Sequence, residues 1–181
     1  TPDATATTEG VASGQIDLGF VPTSNYLVAE GKNPDAQNVL MQGLRYDYND
    51  DGTKNKEKTA QAYDSSLYIN TDVYNELGME TWTDEEFAAW IANGETKVAT
   101  SSYTSSSSYV WPVNFVVDNG QDPNNINWQK VDNHYSSVQQ VADGNADAAF
   151  GYLGINQDVK NQGNENYADI DQTVTVAVRN V

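Results

Sequence analysis

Four consecutive serines, Ser105 to Ser108, stand between a short apolar stretch, Lys97 to Thr100, and the run Tyr109-Val-Trp-Pro112. This pattern predicts a strand, a hydroxyl-rich turn, and a helix that begins between Ser106 and Tyr109. The first amides of a helix lack intrahelical acceptors, and the macrodipole makes that end positive. Hydroxyls added there make a cradle of donors for a phosphate-like oxyanion, with no basic side chain required. The same serines would also suit a flexible linker or an ordinary helix cap. His134 is the single histidine of the chain. Beside an oxyanion its charged form would be favoured, whereas elsewhere a lone histidine is a surface or hydrogen-bonded structural group.

Other candidate chemistry is weaker. Tyr26 follows Phe20-Val-Pro-Thr-Ser-Asn25 in a loop leaving a predicted strand, where such loops line crevices. Asp47, Asn49, Asp51 and Gly52 fall at calcium-loop offsets, but the twelfth position is Lys58 and Glu57 lies one residue short. A solvated hairpin tip accounts for that segment better, so no metal site is assigned. The serines with His134 and Asp132 could be drawn as a hydrolase triad, but there is no Gly-x-Ser-x-Gly elbow. Walker A, HExxH and dinucleotide fingerprints are also missing, and no particular pair of carboxylates is singled out. No enzyme activity and no cofactor is expected.

Charge excludes further classes. With 26 acidic against nine basic residues, the formal charge is −17. Nucleic acid and anionic membranes require a basic footprint, so neither is an expected partner. A hydrophobic content of 38%, with 11 Tyr and four Trp, is too high for a disordered acidic tail. The sequence has no cysteine, which removes disulfides, thiolate nucleophiles and Cys-based metal sites. Thr1 to Thr8 show neither a charged n-region nor an apolar h-region, as in a mature secreted chain or an excised fragment.

Positioning the serine turn requires a layered scaffold. Predicted strands cover Gln15 to Val21, Ser65 to Asn70, Lys97 to Thr100, Ala146 to Leu153 and Thr173 to Arg179, with extended pieces at Val39 to Tyr48 and Trp128 to Val131. Helical segments are expected over Ser24 to Glu30, Thr71 to Gly78, Thr83 to Ile91, the stretch ending at Gly120, and Ser136 to Asp143. Thr83 with Glu86 reads as a capping box, ahead of Phe87, Trp90 and Ile91 on one face. Strands alternate with helices from Ser65 onward, which indicates an α/β domain.

The ordered set Ser13-Gly-Gln-Ile-Asp-Leu-Gly-Phe-Val-Pro22, Tyr63-Asp-Ser-Ser-Leu67, Ser105-Ser-Ser-Ser-Tyr-Val-Trp-Pro112, His134 and Asp143-Gly-Asn-Ala-Asp-Ala148 resembles a known series. It is similar to the phosphate, phosphite and phosphonate substrate-binding proteins of ABC transporters. The resemblance implies a two-lobed type 2 periplasmic-binding architecture with ligand between α/β lobes. It places Ser105, Ser106 and Ser107 on the family's phosphoryl-binding turn, His134 on its ligand-contacting histidine, and Tyr63 on an aromatic hydroxyl at the lobe crossing. Ser108 replaces the usual glycine and adds a hydroxyl, and Tyr135 stands where an acid commonly follows the histidine.

By the same comparison the family has further segments before Thr1 and after Val181. The expectation is therefore one complete α/β lobe, residues 63–181, and part of another, residues 1–62. The implied function is extracytoplasmic capture of a small phosphorus oxyanion for an ABC permease, outside the cell or in a periplasm. Membrane contact is expected only through a lipid anchor outside this sequence. After Asp147 the strand runs Ala-Ala-Phe-Gly-Tyr-Leu-Gly154 without an acid to face an ammonium arm, which favours phosphate, phosphite or a simple alkylphosphonate over aminophosphonates. A surface or adhesion module on the same fold is the alternative, and a serine hydrolase the third.

Overall fold

The computed structural model describes residues 4–41, 43–49, 53–60 and 64–179. Its centre is a five-stranded mixed sheet built from β3 (Ser65–Asn70), β4 (Lys97–Thr100), β5 (Asn127–Lys130), β6 (Ala148–Tyr152) and β7 (Val174–Arg179), in the order β5-β4-β6-β3-β7. β4 runs parallel to β5 and β6, while β3 is antiparallel to both β6 and β7. A separate antiparallel hairpin pairs β1 (Arg45–Tyr48) with β2 (Lys54–Ala60).

Helices cover both faces of the large sheet. On one side Leu67, Ile69, Val98, Ala148 and Phe150 cluster with Phe87, Ala88 and Ile91 of α4 (Asp84–Ile91) and Phe115 and Val116 of α5 (Trp111–Asp118). On the other, Tyr68, Ala99 and Ala149 pack with Val138 and Val141 of α6 (His134–Ala142) and Ile155 and Val159 of α7 (Ile155–Lys160). Burial on both faces explains why β6 reads as a run of small and apolar residues without alternation. The α/β expectation holds from Ser65 onward.

Local signals acted where they were read. Thr83 caps α4 in a capping box: Thr83 N–H donates to Glu86 Oε2 at 2.8 Å, and Glu86 N–H to Thr83 Oγ1 at 3.3 Å. Gly120 and Gly144 stop α5 and α6 with φ of 77° and 69°. The helix after β3, α3 (Thr71–Glu76), is capped by Asn70 and not by Thr71.

The helix expected over Ser24 to Glu30 is present, whereas the strand expected before it is not. α1 (Ala4–Ala12) and α2 (Thr23–Lys32) are helical, but the predicted strand Gln15 to Val21 is irregular and joins neither sheet. An isolated strand has no ladder for its N–H and C=O groups, so alternation alone does not make one. Leu18 and Phe20 in that segment are 68% and 86% exposed.

Candidate anion-binding site

The serine turn leaves the carboxyl end of β4, and the loop to His134 leaves the carboxyl end of its parallel neighbour β5. Crevices for ligands form at such strand ends. Val131 N–H donates to Thr100 O at 2.9 Å and so holds the two exits together.

The turn itself is a single π-helical turn, Ser106–Val110, that runs directly into α5. Pro112 provides the reason. It has no N–H to offer the preceding turn, so carbonyls there must find other donors. Two hydroxyls from the sheet supply them: Ser65 Oγ donates to Ser107 O at 2.7 Å, and Thr100 Oγ1 to Ser108 O at 2.9 Å. Single π turns of this kind recur at functional sites.

The four serines have different tasks. Ser105 Oγ caps the turn by accepting from Ser108 N–H at 3.2 Å. Ser106 Oγ donates to Ser24 Oγ at 3.0 Å. Ser107 Oγ is fully buried and has no hydrogen-bond partner among the described residues. Ser108 is also fully buried, and its Oγ lies 3.2 Å from Thr100 Oγ1 and 2.9 Å from Ser101 Oγ. Among the described residues no backbone acceptor outside the helix takes the Ser106 or Ser107 N–H. An orphaned buried hydroxyl and two helix-end amides thus occupy one turn, at the positive end of the π turn and α5.

His134 is the first residue of α6, capped by Asn133, whose side chain accepts from Ser136 N–H at 2.9 Å. It is therefore helical, and the expected helix start at Ser136 moves two residues forward. Ser101 Oγ lies 3.3 Å from His134 Nδ1 and 3.5 Å from Nε2. The Tyr152 ring meets the imidazole edge-on at 5.5 Å. Burial pushes the imidazole pKa down to about 4, so the ring is neutral at pH 7. An anion bound beside it would oppose that shift.

The structure thus brings Ser105 to Ser108 and His134 together, with Ser101 as the link between them. Tyr26 lies on α2, where hydrogen bonding to Glu30 raises its phenol pKa. The α2 residues whose side chains touch the serine turn are Ser24 and Asn25: Ser24 Oγ donates to Thr104 O at 2.8 Å and Asn25 Nδ2 to Thr104 Oγ1 at 3.1 Å. Tyr63 and Asp51 lie outside the described residues. Asp47 is paired with Lys58 at 2.6 Å across the β1–β2 hairpin, and Asn49 bonds Thr53 in the same hairpin. Among the described residues no group of three or more His, Asp or Glu side chains could hold a metal.

Sequence reasoning missed Ser101, Thr100, Ser65 and Ser24. Thr100 and Ser101 were legible as hydroxyls at a strand's carboxyl end, beside the serine run. It also missed an acid. A cleft of about 640 Å³ is lined by Leu44, Tyr46, Lys54, Tyr135, Tyr152 and Asp158. Asp158 comes from α7 and not from the β6 segment searched for a carboxylate. Its carboxylate accepts from Tyr152 OH at 2.9 Å and pairs with Lys54 at 3.1 Å. Burial, and then this carboxylate, push the Tyr152 phenol far above its ordinary range.

No helix among the described residues is long and apolar enough to cross a membrane. Comparison with curated protein sequences finds no match. The fold resembles the crystal structure of a binding protein component of an ABC phosphonate transporter from Pseudomonas aeruginosa, with a TM-score of 0.63 and 16% identity. The match covers 99% of this chain and 52% of that one, so the chain spans about half the length of its structural relative. A family model described as the phosphonate periplasmic substrate-binding protein of ABC transporters matches residues 1–178. On that match over nearly its whole length, the chain belongs to the ABC-transporter phosphonate substrate-binding family.

Proposed function

We propose that this chain is the ligand-holding part of an extracytoplasmic solute-binding protein that captures phosphate, phosphite or a simple phosphonate and passes it to an ABC permease. Residues 63–181 form its complete α/β lobe, and residues 1–62 belong to the second. Ser105, Ser106 and Ser107 with the helix-end amides hold the phosphoryl oxygens, His134 contacts the anion, Tyr26 lines the cleft wall, and the Tyr63 hydroxyl is the contact that the family resemblance assigns to the lobe crossing. The cycle is binding, closure and release, with no covalent step.

The observation that carries this reading is the fully buried Ser107 hydroxyl, which, like that of Ser66, has no hydrogen-bond partner among the described residues. It lies in a π turn whose first amides have, among the described residues, no backbone acceptor outside the helix. An isolated buried hydroxyl costs stability, and a bound oxyanion supplies the missing acceptor. Asp158 is neutralised by Lys54 and bonded to Tyr152, so it is a poor partner for an ammonium arm. That supports ligands without one.

Isothermal titration of phosphate-stripped protein with phosphate, phosphite and methylphosphonate tests the proposal, with Ser106→Ala and His134→Ala as controls. Saturable binding of one ligand, weakened in both variants, is expected. Charge-assisted hydrogen bonds contribute about 1.5–3 kcal/mol each, so either variant should lose roughly tenfold or more in affinity. No heat with any of the three, from protein shown to be folded, refutes the assignment for this chain.

A further inference from the structure

Among the described residues, Ser101 is the side chain that bonds both the serine turn and His134, and its hydroxyl has a single proton to place. The directions around it follow from its neighbours. The single Thr100 Oγ1 proton is directed at Ser108 O at 2.9 Å, and the 3.2 Å contact with Ser108 Oγ is oriented with Thr100 on the donor side, so Ser108 Oγ does not donate to it. Ser108 Oγ then has one remaining partner, Ser101 Oγ at 2.9 Å, to which its own proton goes. Ser101, having accepted from Ser108, has its proton left for the imidazole.

The imidazole nitrogen that receives it is Nδ1. It is the nearer of the two, at 3.3 Å against 3.5 Å. It also lies against the sheet: a Cβ built on Gly151 of β6 would stand 3.6 Å from it. A neutral imidazole that accepts at Nδ1 carries its proton at Nε2. The first turn of α6, whose positive end holds the ring, further opposes an imidazolium.

We propose that Ser101 is a positioning residue that sets the tautomer of His134. The buried chain Thr100, Ser108, Ser101 ends by donating to Nδ1, which leaves Nε2–H as a fixed, uncharged donor for the oxyanion. The part of this inference that concerns ligand rests on the anion-binding reading above, whereas the tautomer does not. The site would then favour an unprotonated oxygen at that position, since an ionised oxygen accepts from Nε2–H more strongly than a P–OH oxygen does. Ser108 contributes through Ser101 and not by touching the ligand.

With one histidine in the chain, long-range ¹H–¹⁵N spectra report the ring without assignment ambiguity. Ligand-free protein at neutral pH should show an unprotonated Nδ1 and a protonated Nε2. Ser101→Ala should shift the ring towards a mixture of tautomers, and Ser101→Thr, which keeps the hydroxyl, should restore the wild-type pattern. Titration with methylphosphonate should show Ser101→Ala weakened at least fivefold and Ser101→Thr within about threefold of wild type, the scale of one hydrogen bond. A protonated Nδ1 in the wild type, or a ring unchanged by Ser101→Ala, overturns the proposal even if every ligand binds. Unchanged methylphosphonate affinity in Ser101→Ala, where the wild type binds, overturns its functional half. If the wild type binds none of the three anions, the function assigned above fails, while the spectra still decide the tautomer.

Discussion

Acid should weaken this fold through His134, by an amount that the burial of its ring sets. The imidazole pKa is about 4 in the folded chain, against about 6.5 for a free histidine. Between these values the unfolded chain binds a proton that the folded chain does not, so stability rises with pH across that window. The contribution is complete above about pH 6.5 and is lost as pH falls towards 4. At pH 5 the unfolded form is favoured by about 2 kcal/mol relative to pH 8, from one pKa unit being worth about 1.4 kcal/mol. The 26 acidic residues also titrate on acidification, so the wild-type curve alone cannot isolate the effect. The difference between wild type and His134→Asn does, because the carboxylates are common to both. Urea unfolding in phosphate-free buffer at pH 5, 6.5 and 8 should show wild type losing about 2 kcal/mol more than His134→Asn between pH 8 and pH 5. Parallel curves for the two proteins would refute a buried, neutral histidine, and with it the donor geometry argued for Nε2.

Two further substitutions probe the frame around the site. Gly151→Ala would drive a methyl group into Ile155 and towards His134 Nδ1, and overpacking of that kind costs about 1–3 kcal/mol; urea unfolding and the histidine ¹⁵N pattern should both change. Ser65→Ala removes the donor to Ser107 O in a fully buried contact, leaving a carbonyl that Pro112 cannot satisfy. The loss should be about 1–3 kcal/mol by thermal or urea unfolding, and an unchanged midpoint would mean that another donor takes over.

The residues carried much of the fold because the relevant signals are local. The Thr83–Glu86 capping box, the glycines that stop α5 and α6, and the doubly buried run of β6 each depend on a few neighbouring side chains and acted as read. The serine turn was legible for the same reason, as hydroxyls placed where a helix must begin. Gln15 to Val21 was not, since its alternation needed a neighbouring strand that no residue within it can provide. His134 was expected after an extended segment, and Asn133 instead caps a helix that begins with it.

Function at this site depends on distances that no local pattern encodes. Ser101 meets His134 across 33 residues, Ser65 reaches Ser107 across 42, and Ser24 meets Ser106 across 82. The sequence by itself determined which chemistry was available: hydroxyls, helix-end amides and one imidazole, in an acidic chain with no cysteine. Tertiary structure alone decided which hydroxyls are buried without partners among the described residues, which carboxylate is paired with Lys54, and which hydroxyl meets His134. Hydrogen bonds have ranges near 3 Å and strict directions, so their assignment waits until parallel strands bring separate turns to one sheet edge.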